Sequence, residues 1–537
     1  MENVSIIVIL LFVITCLGVL SNKYKFPFPI ILVLSGVIIS LIPRLPVITL
    51  NPDVVFVIFL PPLLYSGAWN TSWHEFKAAI TPISLASVGL VLLTTVFVAI
   101  AAHLFIPGLT WPLSFLLGAI VSPPDAIAAT SVTKGLGLTP RILTILEGES
   151  LVNDASGLIT YKYALIAVTA GNFILWQASL NFLWLAGAGI AVGIAIGYCI
   201  YIVHKKFICD PLIVVTLTFI TPFTSYLIAE HFHVSGVLAV VSTGLYLSFR
   251  SDKIFSNQSR IMAYTVWEVI TFILNSLVFI LIGLQLRTVM KGISDYPVDI
   301  LILYGLIISF VVIAVRFIWA VPAAMLPHYL LNKRKSDTPP PDPRNMIIFA
   351  WSGMRGVVSM AAALALPLTL QDGSAFPQRN LIIYLSFCVI LSTLVVLGLT
   401  LPWIIRKLKL EPYSVVMEEY DVRTRIVTAA ISYIEESASL ISDDLLNNIK
   451  SKYEIKYNRL QKTDLPPDYF KDGHTLQENV FNQFSKMQID LIGVERKTLQ
   501  QLHRSGKASE QVLRKIEREL DLEETRLQME MYATVPF

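Results

Sequence analysis

Long apolar runs follow one another through the first three quarters of this chain and constrain its fold more than any other feature. A helix needs roughly 20 predominantly apolar residues to cross a membrane. Runs of about that length occupy residues 4–20, 26–42, 53–68, 82–106, 112–134, 142–169, 177–203, 210–229, 234–249, 267–287, 298–326, 344–368 and 379–405. Only 15% of the 537 residues are charged, whereas soluble domains carry about 25%. The sequence therefore predicts an all-α membrane protein with about thirteen transmembrane helices.

Basic residues in the short connections predict the orientation in the bilayer. Lys23, Lys205, Lys206, Arg406 and Lys407 all fall on the same side of the predicted helices. By the positive-inside rule this side is cytoplasmic, so we expect the N-terminus outside and the C-terminus inside. The short loops and the lack of a signal-peptide pattern in the first apolar run favour a bacterial inner membrane.

The composition changes after Leu410. Residues 411–537 are rich in Glu, Lys, Gln and Asp and contain amphipathic patterns such as ASEQVLRKIERELDLEETRLQMEMY. We therefore predict a transmembrane domain over 1–410 and a helical cytoplasmic C-terminal domain over 411–537. This second domain is either a packing or dimerising appendage or a regulatory domain. The net charge of +3 does not indicate a nucleic-acid partner. The scattered four cysteines and eight histidines indicate neither a resident metal nor a cofactor.

Two predicted helices are interrupted near their middles. In FLLGAIVSPPDAIAATSV, Pro123 and Pro124 lack backbone donors, so helical hydrogen bonding cannot continue through them. In FAWSGMRGVVSMAAALAL, Gly353 and Gly356 flank Arg355. Such interruptions at corresponding positions are typical of secondary transporters built from inverted repeats. With the seventh helix as a linker, helices 1–6 and 8–13 would form two inverted repeats with crossed broken helices.

Ionisable residues within apolar helices mark candidate functional groups, because placing one at the bilayer centre costs about 2.5–3.5 kcal/mol or more. Five stand out in this chain: Asp125, Glu149, Asp154, Arg316 and Arg355. Residues four apart on a helix share a face. Ser150 therefore shares a helical face with Asp154, and Asn153 shares one with Glu149.

Asp154 is the strongest candidate for binding a cation and accepting a proton. Burial favours the neutral form of a carboxylate, so a proton and a cation would compete for it and exchange without ATP. Hard cations such as sodium prefer oxygen ligands, which Asp125, the Ser150 hydroxyl and the carbonyl groups freed around Pro124 could supply. The structural alternatives are that Asp154 pairs with Lys162 and that Asp125 caps the half-helix after Pro124.

The remaining charged candidates are predicted to have supporting roles. An unpaired arginine within VVIAVRFIWAV would be unstable in apolar surroundings, so we expect Arg316 to form a buried ion pair with Glu149. Arg355, in the second broken helix, would either neutralise carbonyl groups at the C-terminal end of a half-helix or repel cations when the site is protonated.

Three motifs carry a family resemblance. VSPPDAIAAT, GESLVNDASGL and WSGMRGVVSMAAALALP, in this order and spacing within residues 1–410, resemble the cation/proton antiporter-1 family, which includes bacterial sodium/proton antiporters of the NhaP type. The resemblance implies a homodimer in the lipid bilayer. Its mobile core domain would hold two crossed, partly unwound helices and move like an elevator. No cofactor is implied, only the transported sodium ions and protons.

The resemblance also assigns roles to individual residues. Asp154 would be the ion-binding aspartate of the family's Asn-Asp pair, with Asn153 as its partner and Ser150 and Asp125 as further ligands or close neighbours. Glu149 and Arg316 would form the stabilising ion pair. An Asn-Asp pair implies electroneutral exchange of one proton for one cation.

One position departs from the family pattern. FLPPLLYSGAW looks like the family's third-helix motif, but Ser66 stands where many members have an acidic residue. With fewer fixed charges, selectivity for sodium could be relaxed. Potassium and lithium therefore stay open as substrates.

Two other classes of protein fit less well. An intramembrane aspartyl protease would use two aspartates that share a proton, but the residues around Asp125 and Asp154 do not resemble its Tyr-Asp and Gly-x-Gly-Asp signatures. A channel would be recognised by currents far above a carrier's turnover. The sequence favours a sodium/proton antiporter involved in pH homeostasis, not an enzyme, with a potassium/proton or broad monovalent cation/proton antiporter as the alternative.

Overall fold

The described secondary structure is helical apart from one isolated bridge between Thr369 and Ala375. The computed structural model describes residues 2–24, 26–42, 55–133, 136, 138–170, 175–207, 210–293, 296–332, 342–370, 373–408, 415–437, 478–505 and 508–533. Residues 438–477 of the predicted C-terminal domain lie outside these ranges.

The helices have the following bounds in chain order. They are α1 (Glu2–Tyr24), α2 (Phe28–Ser40), α3 (Leu60–Asn70), α4 (Trp73–Ala78), α5 (Ile80–Ser84), α6 (Leu90–Phe105), α7 (Trp111–Val121), α8 (Ala126–Thr133), α9 (Pro140–Ala170), α10 (Leu175–Phe207), α11 (Pro211–His231), α12 (Gly236–Phe249), α13 (Ser251–Ile254), α14 (Asn257–Leu284), α15 (Leu286–Lys291), α16 (Val298–Asn332), α17 (Pro343–Trp351), α18 (Val357–Leu364), α19 (Arg379–Ser392), α20 (Gly398–Leu408), α21 (Val415–Ser437), α22 (Glu478–Arg504) and α23 (Glu510–Ala533). Short π-helical turns at Val55–Phe59, Leu85–Gly89 and Thr393–Leu397 precede α3, α6 and α20.

Eight helical stretches in the described part of the chain are long and apolar enough to cross a membrane. They are Ile6–Tyr24, Ile80–Phe105, Trp111–Thr133, Leu180–Lys206, Pro211–His231, Asn257–Met290, Val298–Met325 and Arg379–Leu408. Two further apolar helices, α2 and α12, are shorter. Every one of the thirteen predicted runs overlaps helical residues. The number of thirteen crossings and the inverted repeats remain predictions.

Both predicted interruptions are present, and they touch each other. The first separates α7 from α8 at residues 122–125, and the second separates α17 from α18 at residues 352–356. The Asp125 amide donates to the Met354 carbonyl oxygen at 2.7 Å. In the other direction, the Arg355 Nε donates to the Val121 carbonyl oxygen at 3.0 Å. Backbone groups that each break frees are thus satisfied by the other break.

The chain divides into two compact units. One comprises Met1–Cys209, Thr216–Ile254 and Val266–Pro412, and it contains both helix breaks. The other comprises Asp210–Val215, Phe255–Thr265 and Tyr413–Phe537. A domain boundary at residue 410 stays a prediction, because two short segments from earlier in the chain join the second unit.

The second unit has its own apolar core. Val422 and Ile426 of α21 pack with Leu499 of α22 and with Leu513 and Leu520 of α23, and all five are buried. The amphipathic patterns of the sequence account for this arrangement, because each helix presents one apolar face.

Candidate functional site

A cavity of about 500 Å³ lies beside the first helix break. Its lining comes from α3, α9 and α14, from both helix breaks, and from the helices α8 and α18 that follow them. The lining residues are Leu60, Leu63, Leu64, Ser66, Gly67, Asn70, Pro123, Pro124, Asp125, Ala126, Ile127, Thr130, Glu147, Ser150, Leu151, Asp154, Thr271, Asn275, Gly356, Val357, Val358 and Ser359. Three of these described residues are carboxylates, and none is basic. The cavity therefore favours a cation or protons over an anion.

One face of α9 supplies two of the three carboxylates. Glu147, Ser150, Leu151 and Asp154 follow the spacing of a single helical face, and all four line the cavity. The Asp154 side chain is only 8% exposed, and no hydrogen bond to its carboxylate is found among the described residues. Its two oxygens are therefore available to a proton or a cation. Lys162 pairs instead with Glu230, Nζ to Oε2 at 3.5 Å.

Asp125 caps the helix that follows the first break. Its Oδ1 accepts hydrogen bonds from the Ile127 and Ala128 amides at 2.9 and 3.5 Å, as an aspartate at a helix N-terminus should. The same carboxylate lies against Gly356 of the second break, where a Cβ atom would overlap its Oδ2. Asp125 thus combines the capping role with a place in the cavity wall.

Ser150 and Asn153 tie α9 to the first break. The Ala126 amide donates to the Ser150 Oγ at 3.3 Å, and the Asn153 Nδ2 donates to the Pro124 carbonyl oxygen at 3.0 Å. Asn153 is fully buried and does not line the cavity. These contacts hold Asp125 and Asp154 in a fixed relation across the cavity wall.

Glu149 lies on another side of α9 and contacts Arg316 of α16. The Arg316 Nη1 and Nη2 donate to the Glu149 Oε1 and Oε2 at 2.7 and 2.8 Å. Arg316 also donates from Nε to the Phe349 carbonyl oxygen at 3.2 Å. Gly353 leaves space for this arginine, since a Cβ atom there would overlap the Arg316 Cδ. Both ends of the pair are almost fully buried.

Arg355 lies at the crossing of the two breaks. Its guanidinium donates to the carbonyl oxygens of Val121, Ser122 and Gly353, which lie at the C-terminal ends of α7 and α17. The side chain is 1% exposed, and it does not line the cavity. Its positive charge therefore faces the negative ends of two half-helices.

The comparisons with known proteins agree with this architecture. The family described as "Sodium/hydrogen exchanger, transmembrane" matches residues 7–407. The chain belongs to the sodium/hydrogen exchanger family. It is accordingly a multi-pass membrane protein of a transporter family, not of an enzyme family.

Two relatives illustrate the range of the family. The "Sodium, potassium, lithium and rubidium/H(+) antiporter" of Bacillus pumilus is 31% identical over 523 residues, covering 95% of this chain and 76% of the relative. The Na(+)/H(+) antiporter ApNhaP of Aphanothece halophytica is 32% identical over 416 residues, covering 76% of this chain and 75% of the relative.

A solved structure shares the fold. The sodium proton antiporter MjNhaP1 from Methanocaldococcus jannaschii superposes with a TM-score of 0.56 at 20% sequence identity. The match covers 76% of this exchanger-family chain and 99% of the archaeal one.

Several cavity residues of this exchanger-family member are absent from the sequence-based list of candidates. Glu147 could have been found, because it lies two helical turns before Asp154 on the same face. Thr271 and Asn275 come from α14, more than a hundred residues later, and Ser359 comes from α18. Among the described residues, no three His, Cys, Asp or Glu side chains form a metal-binding group.

Proposed function

We propose that this protein is a sodium/proton antiporter in which the two ions compete for Asp154. The observation that carries the proposal is the Asp154 carboxylate, which lines a cavity within a membrane-spanning unit without a basic neighbour in the lining. A buried carboxylate in such surroundings is stable either as the neutral acid or with a bound cation. Either ion excludes the other, which couples their opposite movements.

The neighbouring groups suit a hard monovalent cation. Asp125 supplies a second carboxylate, and the Ser150 hydroxyl and the carbonyl group of Pro124 are close to it in the same wall. Sodium prefers such oxygen ligands. Because Asn153 is neutral and hydrogen-bonded to Pro124, Asp154 would be the one carboxylate of the Asn-Asp pair that exchanges its proton. This supports an electroneutral exchange of one proton for one cation.

A broader substrate range is the second candidate. Ser66, which lines the cavity, places a neutral hydroxyl where many family members have an acidic residue. The Bacillus pumilus relative is described as transporting potassium, lithium and rubidium as well as sodium. Exchange of potassium or several monovalent cations for protons is therefore the alternative.

The family resemblance supports our proposals for the transport cycle and the assembly. The two helix breaks that meet at Asp125 and Arg355 would belong to a mobile core that carries the cavity across the bilayer in an elevator-like movement. A homodimer would anchor this core. The basic connections support a cytoplasmic C-terminus and an external N-terminus in a bacterial inner membrane, where exchange would contribute to pH homeostasis.

The test is cation-induced dissipation of an imposed pH gradient in proteoliposomes of the purified protein. Sodium, potassium, lithium and rubidium are added separately to wild type, Asp154→Asn and Glu268→Gln. Glu268 is an exposed acidic residue of α14 that does not line the cavity. We expect exchange in wild type and Glu268→Gln and none in Asp154→Asn.

Each outcome separates the candidates. A response to sodium alone supports the sodium/proton antiporter, and responses to several cations support the broader substrate range. Full activity of folded Asp154→Asn would refute the competition mechanism. Currents far above a carrier's turnover would identify a channel instead.

A further inference from the structure

The negative charge of the cavity is confined to part of its wall. Asp125, Glu147 and Asp154 belong to the first helix break and to α9, whereas the polar lining residues of α3 and α14 are neutral. Those neutral residues are Ser66, Asn70, Thr271 and Asn275. A cation in the cavity would therefore meet strong ligands from one set of helices and weak ligands from the other.

Asn275 differs from the other neutral lining residues of α3 and α14 in its hydrogen bonding, and it shares a buried, unpartnered oxygen only with Ser359 of α18 among the described neutral lining residues. Its Oδ1 is buried and accepts no hydrogen bond from any residue that the structure describes. By contrast, the Ser66 Oγ accepts from the Asn70 Nδ2 at 3.5 Å, and the Thr271 hydroxyl donates to the backbone of its own helix. A buried amide oxygen without a partner has a free-energy cost, because it has lost its hydrogen bonds to water. That cost is offset if the oxygen binds a ligand in the cavity.

Its sequence surroundings make a packing role a poor explanation. Asn275 interrupts the apolar run FILNSLVFIL within α14, where a leucine would fill similar space without a polar group to satisfy. The side chain instead borders the cavity that holds Asp125 and Asp154. Both the position of the amide and its chemistry therefore favour contact with the transported ion.

We propose that Asn275 determines cation specificity by supplying a neutral carbonyl ligand to the ion held by the cavity carboxylates. This inference rests on the proposed antiport in its second form, with the broader range of monovalent cations. Selectivity among monovalent cations depends on the number and field strength of their ligands. Carboxylates favour the small, strongly hydrated lithium and sodium ions, whereas an amide oxygen has a weaker field and also accepts potassium and rubidium. Asn275, together with the neutral Ser66, would broaden the range of substrates.

Two substitutions change the ligand in opposite directions. Asn275→Asp keeps the shape and adds a charge, and we expect it to raise the preference for sodium over potassium. Asn275→Leu removes the oxygen and should weaken potassium and rubidium binding more than sodium binding. Each ratio of half-saturating concentrations should change about tenfold, which corresponds to about 1.4 kcal/mol.

The experiment measures half-saturating concentrations of lithium, sodium, potassium and rubidium in proteoliposomes. The matched control is Ser276→Ala, because Ser276 is the next residue of α14, is buried, and donates to the Phe272 carbonyl oxygen instead of lining the cavity. Its cation ratios should equal those of wild type. Cation-dependent thermal stabilisation in detergent provides a readout that does not require turnover.

The outcomes distinguish this inference from the proposed function. If wild type exchanges no cation for protons, the proposed function fails. If wild type exchanges several cations and both Asn275 variants keep its ratios, the specificity role of Asn275 is wrong although antiport stands. A wild type restricted to sodium also overturns the role. Should either variant fail to fold, Asn275→Ser shortens the ligand and must change the potassium-to-sodium ratio, and an unchanged ratio refutes the proposal.

Discussion

Glu149 and Arg316 form two parallel hydrogen bonds across 167 residues of sequence, with 2% and 1% of their side chains exposed. The guanidinium also lies over the Phe349 ring, 4.7 Å from its centroid. The pair joins α9, which carries Asp154, to α16. It therefore fixes the helix that supplies two of the three cavity carboxylates, without itself lining the cavity.

Removing one partner of this pair should be more harmful than removing both. Glu149→Gln or Arg316→Gln leaves an uncompensated buried charge, and we expect a loss of about 3–5 kcal/mol in the free energy of unfolding. The double variant should recover part of that loss. Thermal unfolding in detergent measures all three.

A surface pair serves as the control. Arg425 and Asp421 are 2.9 Å apart with 47% and 58% of their side chains exposed, and such pairs contribute about 0.2–1 kcal/mol. Arg425→Gln should therefore leave the unfolding temperature nearly unchanged. If Glu149→Gln behaves in the same way, the buried pair does not stabilise the fold.

Substitution of the two glycines of the second break, Gly353 and Gly356, should have different effects although the two residues are close together. A Cβ atom at Gly353 would overlap Arg316, whereas one at Gly356 would overlap Asp125. Overpacking typically costs about 1–3 kcal/mol. We expect Gly353→Ala mainly to lower thermal stability and Gly356→Ala mainly to raise the half-saturating cation concentration, because only the latter displaces a cavity carboxylate.

Gly187 of α10 is the matched control, since a Cβ atom there meets nothing within 4 Å. Gly187→Ala should be neutral or stabilise the helix by up to about 1 kcal/mol. A Gly356→Ala protein with wild-type cation dependence would show that Asp125 tolerates displacement.

The sequence predicts the part of the site that depends on local chemistry. Pro123 and Pro124 remove two backbone donors within an apolar run, and Ser150 and Asp154 share a helical face by their spacing, so both predictions rest on local chemistry. Pro61 and Pro62 show the limit of the first argument, because they lie in the first turn of α3, which follows a π-helical turn without a gap. Asn275 could not be assigned in this way, because its place in the cavity wall depends on the tertiary arrangement that brings α14 and α9 to the same cavity. The π-helical turns before α3, α6 and α20 are likewise not predicted from the sequence, although the first of them, Val55–Phe59, lies just before Pro61 and Pro62.

Substitutions that remove the charge of Asp125 should separate its capping role from its role in the cavity. Asparagine caps a helix about as well as aspartate, whereas alanine costs about 1 kcal/mol. Asp125→Asn should therefore retain near-wild-type thermal stability, and Asp125→Ala should be less stable. Both should raise the half-saturating cation concentration in proteoliposomes. If Asp125→Asn keeps the wild-type cation dependence, the carboxylate acts only as a cap.

Acid should weaken the second unit through Glu510. Burial alone would raise the pKa of this carboxyl, but His503 and Arg514 outweigh that effect and hold its pKa at about 2. The Glu510 Oε1 lies 2.8 Å from the Arg514 Nε, and its Oε2 lies 3.2 Å from the His503 Nε2. Because the folded-state pKa lies below the unfolded value, the stabilisation is present above the unfolded pKa and is lost as the pH falls toward 2.

Hydrogen exchange of α22 and α23 in the full chain measures this effect. At neutral pH, Glu510→Gln should reduce amide protection by the equivalent of a few kcal/mol at most, on the order set by the displaced pKa. Its difference from wild type should shrink as the pH falls toward 2. Asp421→Asn, which removes an exposed i,i+4 partner of Arg425, should change protection little at any pH. A Glu510→Gln effect that persists undiminished at low pH would mean that the residue acts by packing and not by its charge.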